Sequence, residues 1–190
     1  MNKNIKKIII LLLLTLINSV PFTYCGQKNL ISTDVLLLLS GMLNMDYEKA
    51  IDEKSSMSYG LGYLKWSIPD WDISAVGIEA AYYIFPSKKA LKGFFVGPSA
   101  GLVFTNVKHT YEVWTYTGSG WRVEEKTDTA NGTFVGIGGE GGYRWIWENN
   151  IVLSIGAAVG YILGEVKVGG DKLPYGGLSA GLSVKIGYAW

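Results

Sequence analysis

The sequence predicts an all-β fold, an eight-stranded antiparallel transmembrane β-barrel whose strands follow one another as an up-and-down meander. Three observations predict it. Residues 178–190 alternate strictly between large apolar and small or polar side chains, and residues 1–25 are typical of an exported protein. After that segment, the apolar residues form no run long enough for a membrane helix.

The last strand carries its apolar side chains on one face and Lys185 on the other. A half-buried strand of a soluble sandwich has the same period of two, so periodicity leaves both interpretations open. Length favours the membrane, because a crossing strand needs about 9–11 residues and residues 178–190 supply them. The apolar face consists of Leu178, Ala180, Leu182, Val184, Ile186, Tyr188 and Trp190.

The amino-terminal segment has the order of a secretory signal peptide. Three lysines, Lys3, Lys6 and Lys7, precede an apolar run over residues 8–17. We expect residues 1–25 to be a cleaved signal and residues 26–190 to form one barrel domain. Lipidation of Cys25 is the alternative processing route, although its aromatic neighbours do not match a lipobox.

The composition agrees with a barrel and excludes one class of partner. Hydrophobic residues make up 48% of the chain and glycines number 25, while the longest apolar run after the signal covers only residues 35–39. A formal net charge of +1 gives no broad basic surface, so we expect no nucleic-acid partner.

Alternation elsewhere defines the other strands. Strands are predicted at 28–38, 42–49, 57–66, 73–85, 93–107, 133–147, 151–164 and 178–190. The first two come from dividing one segment, because single-chain bacterial barrels have even strand numbers. Outer loops are expected near 39–41, 67–71, 108–130 and 168–174, and short turns at 50–55, 86–91 and 148–150. Pro98 predicts a bulge or local bend.

Charged side chains fall on the inward phase of the predicted strands. The predicted lumenal charge network consists of Glu79, Glu140, Arg144 and Lys185, and Asp34, Asp46 and Glu48 share its phase. A barrel of eight strands is just wide enough to be filled by its own side chains, which favours a packed lumen. The excess of acids and the inward glycines keep a narrow pore or a small-ligand carrier as the alternative.

Aromatic residues concentrate at strand ends, where membrane barrels carry interfacial girdles. One predicted girdle contains Trp145, Trp147, Tyr188 and Trp190, and the other contains Tyr63, Trp66, Trp71 and Phe104. Lys65 and Lys108 lie near the outer rim, where lysines contact lipopolysaccharide phosphates or extend to water. Membrane lipid, including lipopolysaccharide, is therefore an expected partner.

The segment 108–129 predicts an extracellular hairpin, because two alternating stretches flank a turn over residues 117–120. Its aromatic residues, Tyr111, Trp114, Tyr116 and Trp121, are candidates for binding an unidentified extracellular protein. An idle surface loop is the alternative.

Catalytic chemistry has little support in this sequence. His109 is the only histidine, and the segment around it lacks the serine or Asp-Ser pair of lipid A-modifying barrel enzymes. We therefore expect a solvated loop histidine, no catalytic residues, no metal site and no cofactor.

Three stretches carry a resemblance to a known group of proteins. They are LNMDYEKAI at 43–51, ALKGFFVGP at 90–98 and GEGGYRW at 139–145. They resemble a family of small bacterial outer-membrane β-barrel proteins of unknown function, loosely similar to the OmpA and OmpX barrels. The closing strand, with Tyr188 and Trp190 at its end, is also similar to that of outer-membrane barrels, which usually have glycine in place of Lys185.

The resemblance implies an outer-membrane location and assembly by the barrel-assembly machinery through the carboxyl-terminal strand. It implies no activity. We expect a non-enzymatic protein with a structural or surface-interaction role; the alternatives are a narrow pore or small-ligand carrier and, second, a lipid A-modifying enzyme.

Overall fold

The computed structural model describes residues 27–190 except 88, 119, 169 and 170. The predicted signal peptide, with Cys25, lies outside these residues. The strands are β1 (Asn29–Asp34), β2 (Met42–Ala50), β3 (Ser55–Ile68), β4 (Trp71–Ile84), β5 (Gly93–Tyr116), β6 (Trp121–Ile146), β7 (Ile151–Val168) and β8 (Asp171–Ala189). A short helix, α1 (Val35–Leu39), lies between β1 and β2.

The eight strands pair in chain order, and β1 pairs with β8 to close the barrel. All the pairs are antiparallel, as the predicted meander requires. The start of β1 meets the end of β8, where the amides of Lys28 and Asn29 both donate to the carbonyl of Trp190. We call this end, with the connections from β2 to β3, from β4 to β5 and from β6 to β7, the terminal end. The opposite end, with the tip of β5 and β6, is the hairpin end.

Several strands are longer than the sequence predicts. The ladders continue to Ile68 opposite Trp71 and to Val168 opposite Asp171, so the expected loops at 67–71 and 168–174 are largely strand. The segment over 108–130, by contrast, confirms the predicted hairpin, because β5 and β6 pair with each other along it. Alternation of side chains weakens at these exposed strand ends, but backbone hydrogen bonds persist there.

The predicted first strand over 28–38 is wrong beyond Asp34. Residues 35–39 form α1, because a run of valine and leucines has no alternation and leucine favours the helix. The Asp34 carboxylate caps the helix and accepts hydrogen bonds from the amides of Leu36 (2.8 Å) and Leu37 (3.3 Å). In the described part of the chain, no helix has the length and apolar character needed to cross a membrane.

Pro98 interrupts the ladder between β4 and β5 without shifting it. Pairing stops at Ala81 opposite Ser99 and resumes at Ile84 opposite Val96, which is the same register. Pro98 has no amide proton to donate. The predicted bulge is therefore only a local break in the hydrogen bonds.

The buried apolar residues collect at the terminal end. Phe85, Leu91 and Phe95 are almost completely inaccessible to solvent, and Leu91 enters from the turn between β4 and β5. That turn is fixed to the turn after β2, because the Phe85 amide donates to the Lys54 carbonyl (2.6 Å) and the Ala90 amide to the Glu53 carbonyl (2.9 Å). These residues close the lumen at this end.

Candidate functional site

A buried ion pair crosses the lumen next to the apolar residues of the terminal end. Both terminal nitrogens of Arg144 donate to the Glu48 carboxylate at 2.8 Å, and Ser56 Oγ donates to the same carboxylate at 2.5 Å. The guanidinium lies 5.0 Å from the ring centroid of Phe95 and 5.7 Å from that of Phe85. We call these five residues the arginine layer. Nε of Arg144 is buried without a hydrogen-bond partner among the described residues, so the guanidinium is held by its two terminal nitrogens and the two rings. The layer forms the floor of the lumen above it.

A second polar layer lies above the first toward the hairpin end. Lys185 Nζ lies 3.0 Å from Asp46 Oδ2 and 3.7 Å from Glu140 Oε1. Glu140 accepts hydrogen bonds from Tyr83 Oη at 2.6 Å and from Ser183 Oγ at 3.5 Å. We call these five residues the lysine layer. It connects β2, β4, β6 and β8, and so links walls on opposite sides of the barrel.

The structure divides the predicted charge network between two layers. Glu140 and Lys185 meet in the lysine layer, whereas Arg144 pairs with Glu48 in the arginine layer. Glu79 faces the lysine layer, within electrostatic range of Lys185, and its side chain is exposed inside the lumen. The alternation predicts that these side chains point into the lumen. It does not predict how far along the barrel axis each of them lies.

Tyr83 is the aromatic member of the lysine layer, and the sequence-based candidates omit it, as they omit Ser183, Ser56, Phe85 and Phe95. It occupies the inward phase of β4, four residues after Glu79, and its hydroxyl meets Glu140. The alternation of β4 was sufficient to place it in the lumen. Its pairing required knowledge of the register across β4, β5 and β6.

Above the lysine layer the lumen opens into a cavity of about 300 Å³, which we call the lumenal cavity. Its polar lining includes Asp34, Asp46, Glu79, Glu140 and Lys185. Its apolar lining includes Leu37, Met42, Ala75, Val103 and Ala158. Glycines on the inward phase leave this space, because larger side chains there would fill it.

The segment 108–129 is a two-stranded ribbon beyond the rim. Among the described residues, β4 pairs with β5 only as far as His109, and β7 pairs with β6 only as far as Ala130. From there to Tyr116 opposite Trp121, β5 and β6 pair with each other alone. Both outer edges of this ribbon therefore offer backbone groups to a further strand.

The aromatic residues predicted to form one binding surface lie on two faces of the ribbon. Trp114, Tyr116 and Trp121 share the face that continues the outside of the barrel, and they are 61%, 62% and 69% exposed. Tyr111 lies on the other face, because its odd spacing from Trp114 reverses its side in a strand. The surface formed by Trp114, Tyr116 and Trp121 is called the aromatic tip.

His109 lies in β5 and is stacked, not in a solvated loop as the sequence predicts. Its ring centroid is 4.1 Å from that of Trp71 and 5.5 Å from that of Tyr111. Asp128 lies opposite His109 in the ladder. The Asp128 carboxylate raises the pKa of the Tyr111 phenol above its ordinary value, since negative charge disfavours the phenolate and the phenol donates to it.

In the structure, all four residues of one predicted aromatic girdle lie on the outer face of the barrel. Only two of the four residues of the other girdle do so. Trp145, Trp147, Tyr188 and Trp190 are all exposed on the outer surface at the terminal end. At the other end, Tyr63 and Phe104 point outward, but the odd spacings of Trp66 and Trp71 from outward residues put them on the inner phase. The Trp66 indole packs against Gly41, in the space that a Cβ on that residue would need. Trp71 stacks on the imidazole of His109.

The sequence matches a family of proteins over most of its length. Residues 8–168 match the family described as "Protein of unknown function (DUF3575)". The chain belongs to this family. Among curated proteins, none matches the sequence. The DUF3575 match includes Glu48, Glu140 and Arg144 but ends before β8, which supplies Lys185 and the closing strand.

Membership of the DUF3575 family supplies no activity, so the chemistry of the site has to come from its geometry. Among the described residues, no group of three or more His, Cys, Asp or Glu side chains is arranged to hold a metal ion. The structure provides a charged cavity, which the two polar layers close from below, and an exposed aromatic ribbon at the same end of the barrel.

Proposed function

We propose that this protein is a non-enzymatic outer-membrane barrel that contributes to the cell envelope and presents its β5–β6 ribbon to an extracellular partner. The observation that carries the proposal is the outer surface of the barrel, which exposes large apolar side chains on every strand from β2 to β8. Leu178 is 88% exposed, Leu182 is 77% exposed and Val159 is 66% exposed. Exposed apolar surface of this extent would be costly in water and is favourable in lipid.

The height of the apolar belt supports a membrane. On β5 the outward face is uncharged from Phe94 to Phe104 and ends at Lys108. That interval matches the roughly 9–11 residues with which a tilted strand crosses a bilayer. Lys65 and Lys108 point outward at the edge of the apolar belt nearest the hairpin end. Their ammonium groups are placed to bind lipopolysaccharide phosphates. The resemblance of the closing strand to those of OmpA- and OmpX-type barrels, and not the belt itself, is what proposes β8 as the strand recognised by the barrel-assembly machinery.

The contents of the lumen favour a structural barrel over a pore. The arginine layer, with Leu91, fills the terminal end, so a hydrated path through the barrel would have to displace a paired charge. A planar-bilayer recording distinguishes the two functions. We expect no steady conductance from the wild type; steady conductance that disappears in Gly181→Phe would favour the pore.

Genetic complementation separates the two parts of the proposal. In a strain that lacks the gene, the full chain is expected to restore resistance to detergent and chelator. A variant in which residues 110–129 are replaced by a short turn should fold, because that ribbon pairs with no other described strand. Full restoration by this variant assigns the envelope role to the barrel alone; no restoration assigns it to the ribbon.

Binding by the ribbon is tested by its two faces. We expect Trp114→Ala with Trp121→Ala to abolish binding to an extracellular partner, because the aromatic tip is the exposed face. Tyr111→Ala is the matched control, since Tyr111 stacks on His109 on the opposite face. Equal losses from both variants would contradict recognition by the aromatic tip.

Lipid A modification is the competing enzymatic function, and His109 is its candidate residue. The stacking of His109 between Trp71 and Tyr111 supports a structural role for the ring. Mass spectrometry of lipid A from cells with the wild type and with His109→Ala is expected to show no difference. An acyl-chain change that depends on His109 would replace our proposal with an enzyme.

A further inference from the structure

The barrel wall is incomplete beside β1. β1 pairs with β8 only over Leu30–Asp34 and with β2 only over Asn29–Ser32, whereas both neighbours continue toward the hairpin end. Among the described residues, no strand pairs with 171–184 of β8 or with 42–45 of β2 on this side. We call this interval the side gap. An open strand edge is unfavourable in hydrocarbon, so something has to cover it.

α1 covers the side gap only in part. The helix contacts both β2 and β8, and Asn44 of β2 fixes its start: the Asp34 amide donates to Asn44 Oδ1 at 2.6 Å, and Asn44 Nδ2 donates to the Asp34 carbonyl at 3.0 Å. Four leucines of α1, Leu36, Leu37, Leu38 and Leu39, are nevertheless exposed. α1 is therefore a short apolar cover, one turn of helix whose start is held by hydrogen bonds to β2.

The lumenal cavity reaches the side gap. Met42 and Asn44 on the β2 edge, Gly181 and Ser183 on the β8 edge, and Leu37 of α1 all line it. The space beside Gly181 is open, because a Cβ built there has no atom within 4 Å. The cavity therefore extends from the lysine layer to the two unpaired edges.

We propose that the side gap admits a single-chain amphiphile with a cationic head from the membrane into the lumenal cavity. The inference rests on the proposed function, because the gap faces lipid only if the barrel spans a membrane. The apolar chain would lie between the edges of β2 and β8 against Leu37 and Met42. The head would lie deeper, beside Glu79.

The charges of the cavity select the head group. Four carboxylates line the cavity, those of Asp34, Asp46, Glu79 and Glu140. Of the described residues that line it, Lys185 is the one basic side chain, and its ammonium already lies near Asp46 and Glu140. A cationic head would be attracted to this lining and a carboxylate head would be repelled.

The size of the cavity limits the ligand. A volume of about 300 Å³ is at the lower limit for small-molecule sites, which extend from about 300 to 1,000 Å³. Such a space holds a head group and the start of one chain. A two-chain lipid would have to leave most of its apolar surface outside, along the side gap.

Photo-crosslinking in lipid nanodiscs tests the inference with the full mature protein. The probes are two forms of dodecylamine, one with a diazirine beside the amine to report the cavity and one with it at the end of the chain to report the outer surface. Adducts are located by tandem mass spectrometry. We expect two sets of adducts: one on Met42 and Val103 in the cavity, and one on Val159 and Leu178 on the outer surface. Adducts confined to the outer surface would overturn the inference and leave the membrane proposal standing. Adducts on neither set would overturn both.

Two phenylalanine variants on neighbouring positions of β8 provide the matched control. Gly181→Phe adds bulk to the open space inside, whereas Ala180→Phe adds the same bulk to the outer surface. Cavity adducts should be lost in Gly181→Phe and retained in Ala180→Phe. Cavity adducts that persist in Gly181→Phe would contradict the site. If Gly181→Phe does not fold, Gly181→Leu replaces it.

The head-group requirement has its own comparison. Dodecanoic acid with the diazirine at the same two positions should give outer-surface adducts without cavity adducts, and Glu79→Gln should reduce the cavity adducts of dodecylamine. Equal cavity labelling by the amine and the acid would contradict the cationic selection. The outer-surface adducts serve as the internal standard in every sample.

Discussion

At the scale of single residues, the pair of Glu48 and Arg144 is a buried ion pair joined by two parallel hydrogen bonds. Both side chains are almost fully buried and they share two hydrogen bonds of 2.8 Å. Attraction between buried charges largely offsets the cost of removing them from water, whereas a single remaining charge has no such compensation. The pair therefore stabilises the fold only as long as both members are present.

Arg144→Ala should lower the free energy of unfolding by about 3–5 kcal/mol, because it leaves the Glu48 carboxylate buried and unpaired. Urea titration of the protein folded in lipid vesicles measures this. The double variant Glu48→Leu with Arg144→Met should lose less stability than Arg144→Met alone. Lys172→Ala, which removes an exposed partner of Glu165, is the control and should change stability by less than about 0.5 kcal/mol. Equal effects of Arg144→Ala and Lys172→Ala would mean that the arginine layer is open to water.

Two inward glycines are expected to respond oppositely to alanine. A Cβ on Gly97 would overlap the Tyr82 carbonyl oxygen on the neighbouring strand, whereas a Cβ on Gly136 would meet no atom within 4 Å. Gly97→Ala should therefore destabilise the barrel by about 1–3 kcal/mol. Gly136→Ala should be neutral or stabilise it by up to about 1 kcal/mol, because it restricts the unfolded chain. The same urea titration measures both, and a larger loss for Gly136→Ala would contradict the register of β4 and β5.

At the scale of elements, α1 interrupts an otherwise uniform set of strands. Its start depends on the Asp34 carboxylate, which caps the amides of Leu36 and Leu37. Its end is fixed at Gly41, where φ is 86°, a value that glycine adopts without strain.

Asp34→Ala should destabilise the protein by about 1 kcal/mol, the usual contribution of a helix cap, while Asp34→Ser should retain most of that stability. Hydrogen exchange of the α1 amides tests whether the loss is local. We expect faster exchange at Leu36 and Leu37 in Asp34→Ala and unchanged exchange in β5. Uniform acceleration across the barrel would show that Asp34 acts on the whole fold and not on α1.

The elements also show which parts of this fold the sequence can predict. Alternation over residues 151–164 and 178–190 was sufficient to place β7 and β8, because a period of two on a half-exposed strand leaves little choice of face. Residues 35–39 show no alternation, so the sequence pattern does not predict their helix. The helix forms because Asp34 caps its start and because the barrel wall leaves space for it beside β1. The charges divide between two layers according to the register of strands that are not neighbours in the sheet. A pattern within one strand carries no information about that register.

At the scale of the whole molecule, the described chain is a barrel that is closed at one end and open at the other. The terminal end holds the arginine layer and the buried apolar residues, and the hairpin end holds the cavity and the ribbon. The match to the DUF3575 family includes the residues of the arginine layer but ends before β8. Comparison with other members over residues 48, 140 and 144 is therefore the direct way to learn whether the floor is a property of the family.

β8 is the strand on which contact between the outer face of the barrel and lipid can be measured residue by residue. Nitroxide labels on cysteines introduced one at a time over residues 178–186, in protein reconstituted into vesicles, report collisions with oxygen and with a water-soluble nickel complex. We predict that accessibility to oxygen has a period of two, high at Leu178, Leu182 and Ile186 and low at Ser179 and Ser183. High accessibility to nickel at the three apolar positions would show that the outer face lies in water and not in lipid.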